Sequence, residues 1–118
     1  MNFIIHNEAN YSSIKVVCER LDSFISPELK AELVLLSTKG AINIILDLDG
    51  VGYCDSSGLS AILVGNRLCE DSEGTFIICN ISQGVDKMIR MAMLDSILLI
   101  TSDMAKAKRL LIKKSEMK

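Results

Sequence analysis

The stretch from Ile42 to Leu48, Ile-Asn-Ile-Ile-Leu-Asp-Leu, constrains the fold more than any other part of the chain. It is rich in β-branched residues and leucine with few polar breaks, so the strand it forms needs cover on both faces. Such strands sit inside parallel sheets flanked by helices, and the rest of the chain supplies the alternation that architecture requires. Phe3-Ile4-Ile5 and Ile14 to Cys18 read as a hairpin, with the polar segment Asn7 to Ser13 as its turn. Ser26 as N-cap and Pro27 at the first helical position open a helix whose stripe is Ile25, Leu29, Leu33 and Leu36, and Gly40 stops it. Leu59, Ile62, Leu63 and Leu68 mark a second helix opening near Ser56 or Ser57. Thr75 to Cys79 is the next strand, and Ser82 caps a third helix carrying Val85, Met88, Ile89 and Ala92. Ile97 to Ile100 is a last strand, after which Ser102 or Asp103 caps a helix with Met104, Ala107, Leu110 and Leu111 inward.

The expected order is therefore ββαβαβαβα: an α/β fold with a mixed, mostly parallel sheet of four to five strands and about four helices. At 118 residues this is one domain, residues 1–118, with a core of about 2–112 and a basic tail over 113–118. Ligands and partners of such folds meet the loops at the carboxyl ends of the parallel strands. The two loops of interest are those after Cys18 and after Leu48.

Composition removes several functions. Three Phe, two Tyr and no Trp leave little for stacking bases, and a net charge of −2 does not suit a phosphate-backbone binder. No direct nucleic-acid contact is expected. Lys106, Lys108, Arg109, Lys113 and Lys114 gather near the end, as the solvated face of a helix and its tail. Cys18, Cys54, Cys69 and Cys79 share neither metal-clasp nor redox spacing, so buried reduced thiols, no metal and no cofactor are expected. With no apolar leader and no run near the ~18 residues of a spanning helix, the expectation is a cytoplasmic protein without membrane insertion.

The loop Asp49-Gly50-Val51-Gly52-Tyr53-Cys54-Asp55-Ser56-Ser57-Gly58 ends where an apolar periodic run begins. Read plainly, one serine caps the helix and Gly58 permits a tight entry. A phosphoryl group on Ser56 would meet the positive end of the helix dipole, so the fold tolerates it. It would also add roughly −1.5 to −2 charges beside Asp49 and Asp55, which a partner fitted to the neutral serine would feel as repulsion.

Four stretches together resemble the STAS-domain family, and within it the anti-sigma factor antagonists: Glu19-Arg20-Leu21-Asp22, Ile44 to Val51, Asp55-Ser56-Ser57-Gly58-Leu59, and Asn80-Ile81-Ser82 through Val85 to Leu94. The resemblance implies that Ser56 is a phosphoacceptor and that Asp22, Asp55, Ser56, Ser57 and Gly58 form the partner-binding surface. It implies as partners an anti-sigma serine kinase with a GHKL-type ATP site and a PP2C-type phosphatase. The unphosphorylated form would bind the kinase and free the sigma factor. The sequence departs from the family's habit of glycine at two positions, where Glu19 and Met93 stand. Met91, Met93 and Leu94 read as an adaptable apolar edge used in core or helix packing.

Other readings compete. STAS domains also serve as subunits of signalling complexes or of lipid-trafficking ABC transporters. Asp47-Leu48-Asp49-Gly50-Val51 copies the nucleophile motif of haloacid-dehalogenase-like phosphatases, in which Asp47 would attack phosphate and Asp49 act as acid and base. Downstream acids Asp71, Asp86, Asp95 and Asp103 are scattered, which does not suit that motif's paired Mg²⁺ site. His6 is the only histidine and no Gly-x-Ser-x-Gly elbow exists, so serine-hydrolase chemistry has no base. The expectation is a binding protein and not an enzyme.

Overall fold

The computed structural model describes residues 2–117. Strands β1 (Phe3–Asn7), β2 (Ser12–Val16), β4 (Ile44–Asp47), β6 (Phe76–Cys79) and β7 (Leu99–Thr101) form one sheet in the order β1-β2-β4-β6-β7. β1 pairs antiparallel with β2, and every other neighbour in this sheet is parallel. The helices are α1 (Ser26–Thr38), α2 (Ser56–Asp71), α3 (Gln83–Met91) and α4 (Met104–Glu116). A separate two-stranded parallel ribbon joins β3 (Arg20–Leu21) to β5 (Tyr53–Cys54).

The central strand is dry on both sides. Ile44 and Leu46 of β4 point, with Phe76 and Ile78 of β6, into the core shared with Leu29, Leu33 and Leu36 of α1 and Leu59 and Ile62 of α2. Ile45 points the other way and packs with Ile77, Cys79 and the Ala107 and Leu111 of α4. All three β4 residues are fully buried, worth about 1.5–3 kcal/mol each relative to exposure.

Several local expectations change. The hairpin turn is shorter than its polarity implied, because Ser12 and Ser13 belong to β2 and are buried. Ser12 Oγ is satisfied by donating to Asn7 Oδ1 at 2.8 Å, so the ladder overrides polar composition. Helix α1 is capped at Ile25 with no side-chain bond, and Ser26 instead donates from its hydroxyl to the Asp22 carbonyl at 2.6 Å. Asp55, rather than either serine, is the N-cap of α2. Ser82 and Asp103 cap α3 and α4, their oxygens accepting from the Val85 and Lys106 N–H groups. Met91 is out of phase with the buried pair Val85 and Ile89, whereas Ala92 and Met93 lie past the last residue of α3 and are exposed for that reason; of the expected apolar edge only Leu94 packs on the core. Helix α4 continues to Glu116, and Lys106, Lys108, Arg109 and Lys113 are exposed on it.

Three helices end in the same hydrogen-bond pattern, with very different residues at its left-handed position. After α1, Ala41 N–H bonds the Leu36 carbonyl and Gly40 N–H that of Ser37, with Gly40 at φ +101°. After α3, Leu94 N–H bonds Ile89 and Met93 N–H bonds Arg90, but Met93 holds φ +61°. Its side chain is 76% exposed and recovers little by packing. A left-handed non-glycine residue costs ~1–2 kcal/mol, part of which glycine gives back as chain entropy. Met93→Gly should therefore stabilise the protein by about 0.5–1 kcal/mol, read as a higher urea midpoint with an unchanged slope.

Candidate functional site

The short ribbon positions the site. Parallel pairing sets Arg20 opposite Tyr53 and Leu21 opposite Cys54, and the Asp55 N–H donates to the Leu21 carbonyl at 3.3 Å. Leu21 and Cys54 turn inward and are fully buried, while Arg20 and Tyr53 face solvent. The loop entering α1 and the loop entering α2 thus lie side by side. Gly58 makes this approach possible: a Cβ there would sit 2.5 Å from the Leu21 carbonyl oxygen and 2.6 Å from Cys54 Sγ. It is buried, so its part is to shape the loop beneath the exposed residues.

Hydrogen bonds then fix each loop internally, and the two loops meet at a pair of serines. Asp55 Oδ1 accepts the Gly58 N–H at 3.0 Å and the Ser57 hydroxyl at 2.6 Å. Ser57 Oγ lies 3.2 Å from Ser26 Oγ, and Ser26 donates to the Asp22 carbonyl. A carboxylate and a carbonyl only accept, so the two hydroxyl protons are spent on Asp55 and Asp22. Ser26 is almost fully buried and Ser57 half-buried.

Ser56 differs from its neighbour in both respects. It is the first residue of α2, it is exposed, and its hydroxyl has no hydrogen-bond partner among the described residues. Asp22 is half-buried in the neighbouring loop that enters α1; its Oδ1 accepts the Phe24 N–H at 3.0 Å and its Oδ2 lies 3.6 Å from Arg20 Nε. The expected residues Asp22, Asp55, Ser56, Ser57 and Gly58 therefore occupy one continuous end of the molecule. Asp55 is held below the ordinary aspartate pKa of 3.8, first by the Ser57 hydroxyl and then by the Gly58 N–H, with a smaller contribution from Arg20. It is ionised at neutral pH.

Sequence reasoning missed Arg20, Tyr53, Phe24 and Ser26 at this end. Arg20 lies over the Tyr53 ring, 4.1 Å from its centroid, and Phe24 is 85% exposed. Nothing in the local pattern announces the first pair, because two-residue strands have no readable period. Phe24 had a signal: it is one of only three phenylalanines, placed in the polar stretch after Leu21-Asp22.

The competing motif has structural employment. Asp47 Oδ1 accepts the Asp49 N–H at 3.0 Å and Asn80 Nδ2 at 2.9 Å, tying the ends of β4 and β6 together. Asp49 is exposed, with its nearest cation Lys15 Nζ at 4.0 Å. His6 is an exposed residue of β1. The four cysteines are free, and burial pushes the Cys54, Cys69 and Cys79 thiols up to about 12, 11 and 12. Such thiols stay protonated and inert. Among the described residues, no helix is long and apolar enough to cross a membrane.

Asp55 should carry measurable stability. Its folded pKa lies below its unfolded value, so its contribution is complete above the ordinary 3.8 and is lost as pH falls through the folded value. Asp55→Ala should cost about 1 kcal/mol at pH 7. Urea titrations of both proteins between neutral pH and pH 2 should show that difference shrinking only at the acid end.

A family model for the STAS domain matches residues 9–107. An anti-sigma factor antagonist domain protein of Planctomyces limnophilus superposes with a TM-score of 0.79 at 21% identity, covering 95% of this chain and 96% of that one. An anti-sigma factor antagonist of Mycobacterium paratuberculosis gives 0.82 at 16% identity, covering 92% of each. SpoIIAA, a cell-fate determinant of Bacillus solved in its phosphorylated form, gives 0.71 at 21% identity over 92% of this chain and 98% of that one.

Proposed function

The chain belongs to the STAS-domain family, and from that premise we propose that it is an anti-sigma factor antagonist switched by phosphorylation of Ser56. One observation carries the reading: of two adjacent serines in Asp55-Ser56-Ser57-Gly58, only Ser56 presents an exposed hydroxyl with no partner among the described residues. That is the condition a second protein's active site needs to reach a nucleophile. The similar structure of SpoIIAA in a phosphorylated form supports the same chemistry here.

In this reading the chain is the substrate and not the enzyme. A GHKL-type serine kinase that also holds a sigma factor binds the neutral Ser56 surface and releases the sigma factor. The Ser56 oxygen then attacks the γ-phosphorus of ATP; the bond to the ADP oxygen breaks and the hydroxyl proton departs. The product carries roughly −1.5 to −2 added charges next to the ionised Asp55 and close to Asp22. A partner fitted to the uncharged surface meets like-charge repulsion of several kcal/mol. A PP2C-type phosphatase restores the serine by hydrolysing the phosphate ester with water. These exchanges take place in the cytoplasm, where ATP and sigma factors reside.

The test uses the GHKL-type kinase encoded nearest the gene, with purified components. Ser56→Ala should bind the kinase with ADP as well as the unmodified chain does, and should accept no phosphate. Ser57→Ala should still be phosphorylated. Ser56→Asp should keep its circular dichroism spectrum and bind at least about 100-fold more weakly. Equal binding of Ser56→Ala and Ser56→Asp, or phosphate on Ser57 instead, overturns the reading.

A further inference from the structure

Arg20 stands on the ribbon that leads into this site, and its hydrogen-bonding capacity is unspent among the described residues. Residues alternate along the β3–β5 ribbon, so Leu21 and Cys54 go into the core while Arg20 and Tyr53 share the outer face. The Arg20 guanidinium carbon lies 4.1 Å from the centroid of the Tyr53 ring, three residues before Ser56, and its charge reaches Asp55, the residue bonded to Ser56. Its one ion pair, with Asp22, is long at 3.6 Å. None of its N–H groups has a hydrogen-bond partner among the described residues, and its side chain is 60% exposed. A planar guanidinium with free donors is the side chain best shaped to take a phosphate through two parallel bonds.

We infer that Arg20 is the intramolecular partner of a phosphoryl group on Ser56, exchanging its long pair with Asp22 for charge-assisted bonds to the phosphate. The inference rests on the reading of Ser56 as phosphoacceptor. Its consequence is a transfer of charge as well as an addition. The phosphate is partly neutralised from within the chain, and Asp22 loses its cation and stands as a second bare carboxylate on the surface. A partner cation that reaches for the phosphate finds two of its acceptor positions already taken. Phosphorylation therefore alters both loops of the surface although only one of them is modified.

The phosphate's own titration reports this pairing. Phosphoserine placed at position 56 by co-translational incorporation gives a ³¹P resonance that titrates near pH 6. The charged groups on the segments that frame it are Arg20 on the ribbon, Asp22 and Asp55 immediately after its two strands, Glu19 before it, Glu28 on the first turn of α1, and the Lys15–Asp49 pair at the neighbouring strand ends. Removing a paired cation raises that pKa. Arg20→Gln should raise it by about half a unit or more, Arg20→Lys should restore part of the difference, and Lys15→Gln should leave it in place. In the unsubstituted chain, the Arg20 Nε–H cross-peak should shift and exchange more slowly in the phosphoserine form than in the serine form. A ³¹P titration unmoved by Arg20→Gln, one moved equally by Lys15→Gln, or an unshifted Nε–H resonance overturns the inference. The phosphate is installed without a kinase, so a kinase that ignores Ser56 defeats the proposed function and leaves this test standing on its own.

Discussion

Burial of β4 on both faces is the constraint from which the rest of the molecule follows. Ile44 and Leu46 need α1 and α2 on one side, and Ile45 needs α4 on the other. Helices can be placed on both faces of a parallel sheet only by crossover connections, and each crossover returns the chain to the same edge of the strands. The loops after β4 and β6 therefore gather at one end. There Asp47 and Asn80 lock them together through the 2.9 Å bond across the strand ends. The loops that enter α1 and α2 sit at that end, supported by a core in which Ile44, Ile45 and Leu46 are all fully buried.

How much of this could be read in the sequence depended on the range of the interaction concerned. Stripes such as Leu29, Leu33 and Leu36 follow from helical period alone, and the doubly buried strand follows from composition alone. Both were legible. The caps were legible only where one candidate stood alone, as Ser82 does before α3. Where Asp55, Ser56 and Ser57 stand in a row, sequence offers three oxygens for one role; geometry assigns it to the aspartate, whose backbone is extended at φ −100° and ψ −172°. Ser26 was misassigned for a related reason. Its hydroxyl bonds backward to Asp22 and meets Ser57, a residue on a different helix. The β3–β5 ribbon was invisible because two residues cannot display a period of two. With it went Arg20 and Tyr53, which meet only through that pairing.

Methionine at 93 shows the reverse situation. The resemblance flagged the position as one where related chains use glycine, and the backbone supplies the reason, since φ is +61° there. Met93 and Met91 both project into solvent instead of filling the core. The chain therefore carries local strain and exposed apolar surface at the end of α3 at once. Both costs fall outside the core, which is why the fold accommodates them: Leu94 still packs inward and the helix-ending hydrogen bonds remain intact.

The division of labour between Asp55 and Ser56 explains how a switch can be built into a helix start without endangering the helix. Had Ser56 been the cap, its hydroxyl would have been committed to a backbone N–H, and esterifying it would have removed a contribution of about 1 kcal/mol. Asp55 takes that duty, and Ser57 secures Asp55 by donating to the same oxygen that caps Gly58. The residue between them has no hydrogen-bond partner for its hydroxyl among the described residues. On the proposed reading, the phosphoryl group arrives at a position where the N-terminal end of the 16-residue helix α2 is electrostatically favourable to it and where no internal hydrogen bond has to break. The free energy of modification is then expressed almost entirely at the surface. A partner sees a new charge on an unchanged scaffold, and the antagonist remains folded and ready to be restored.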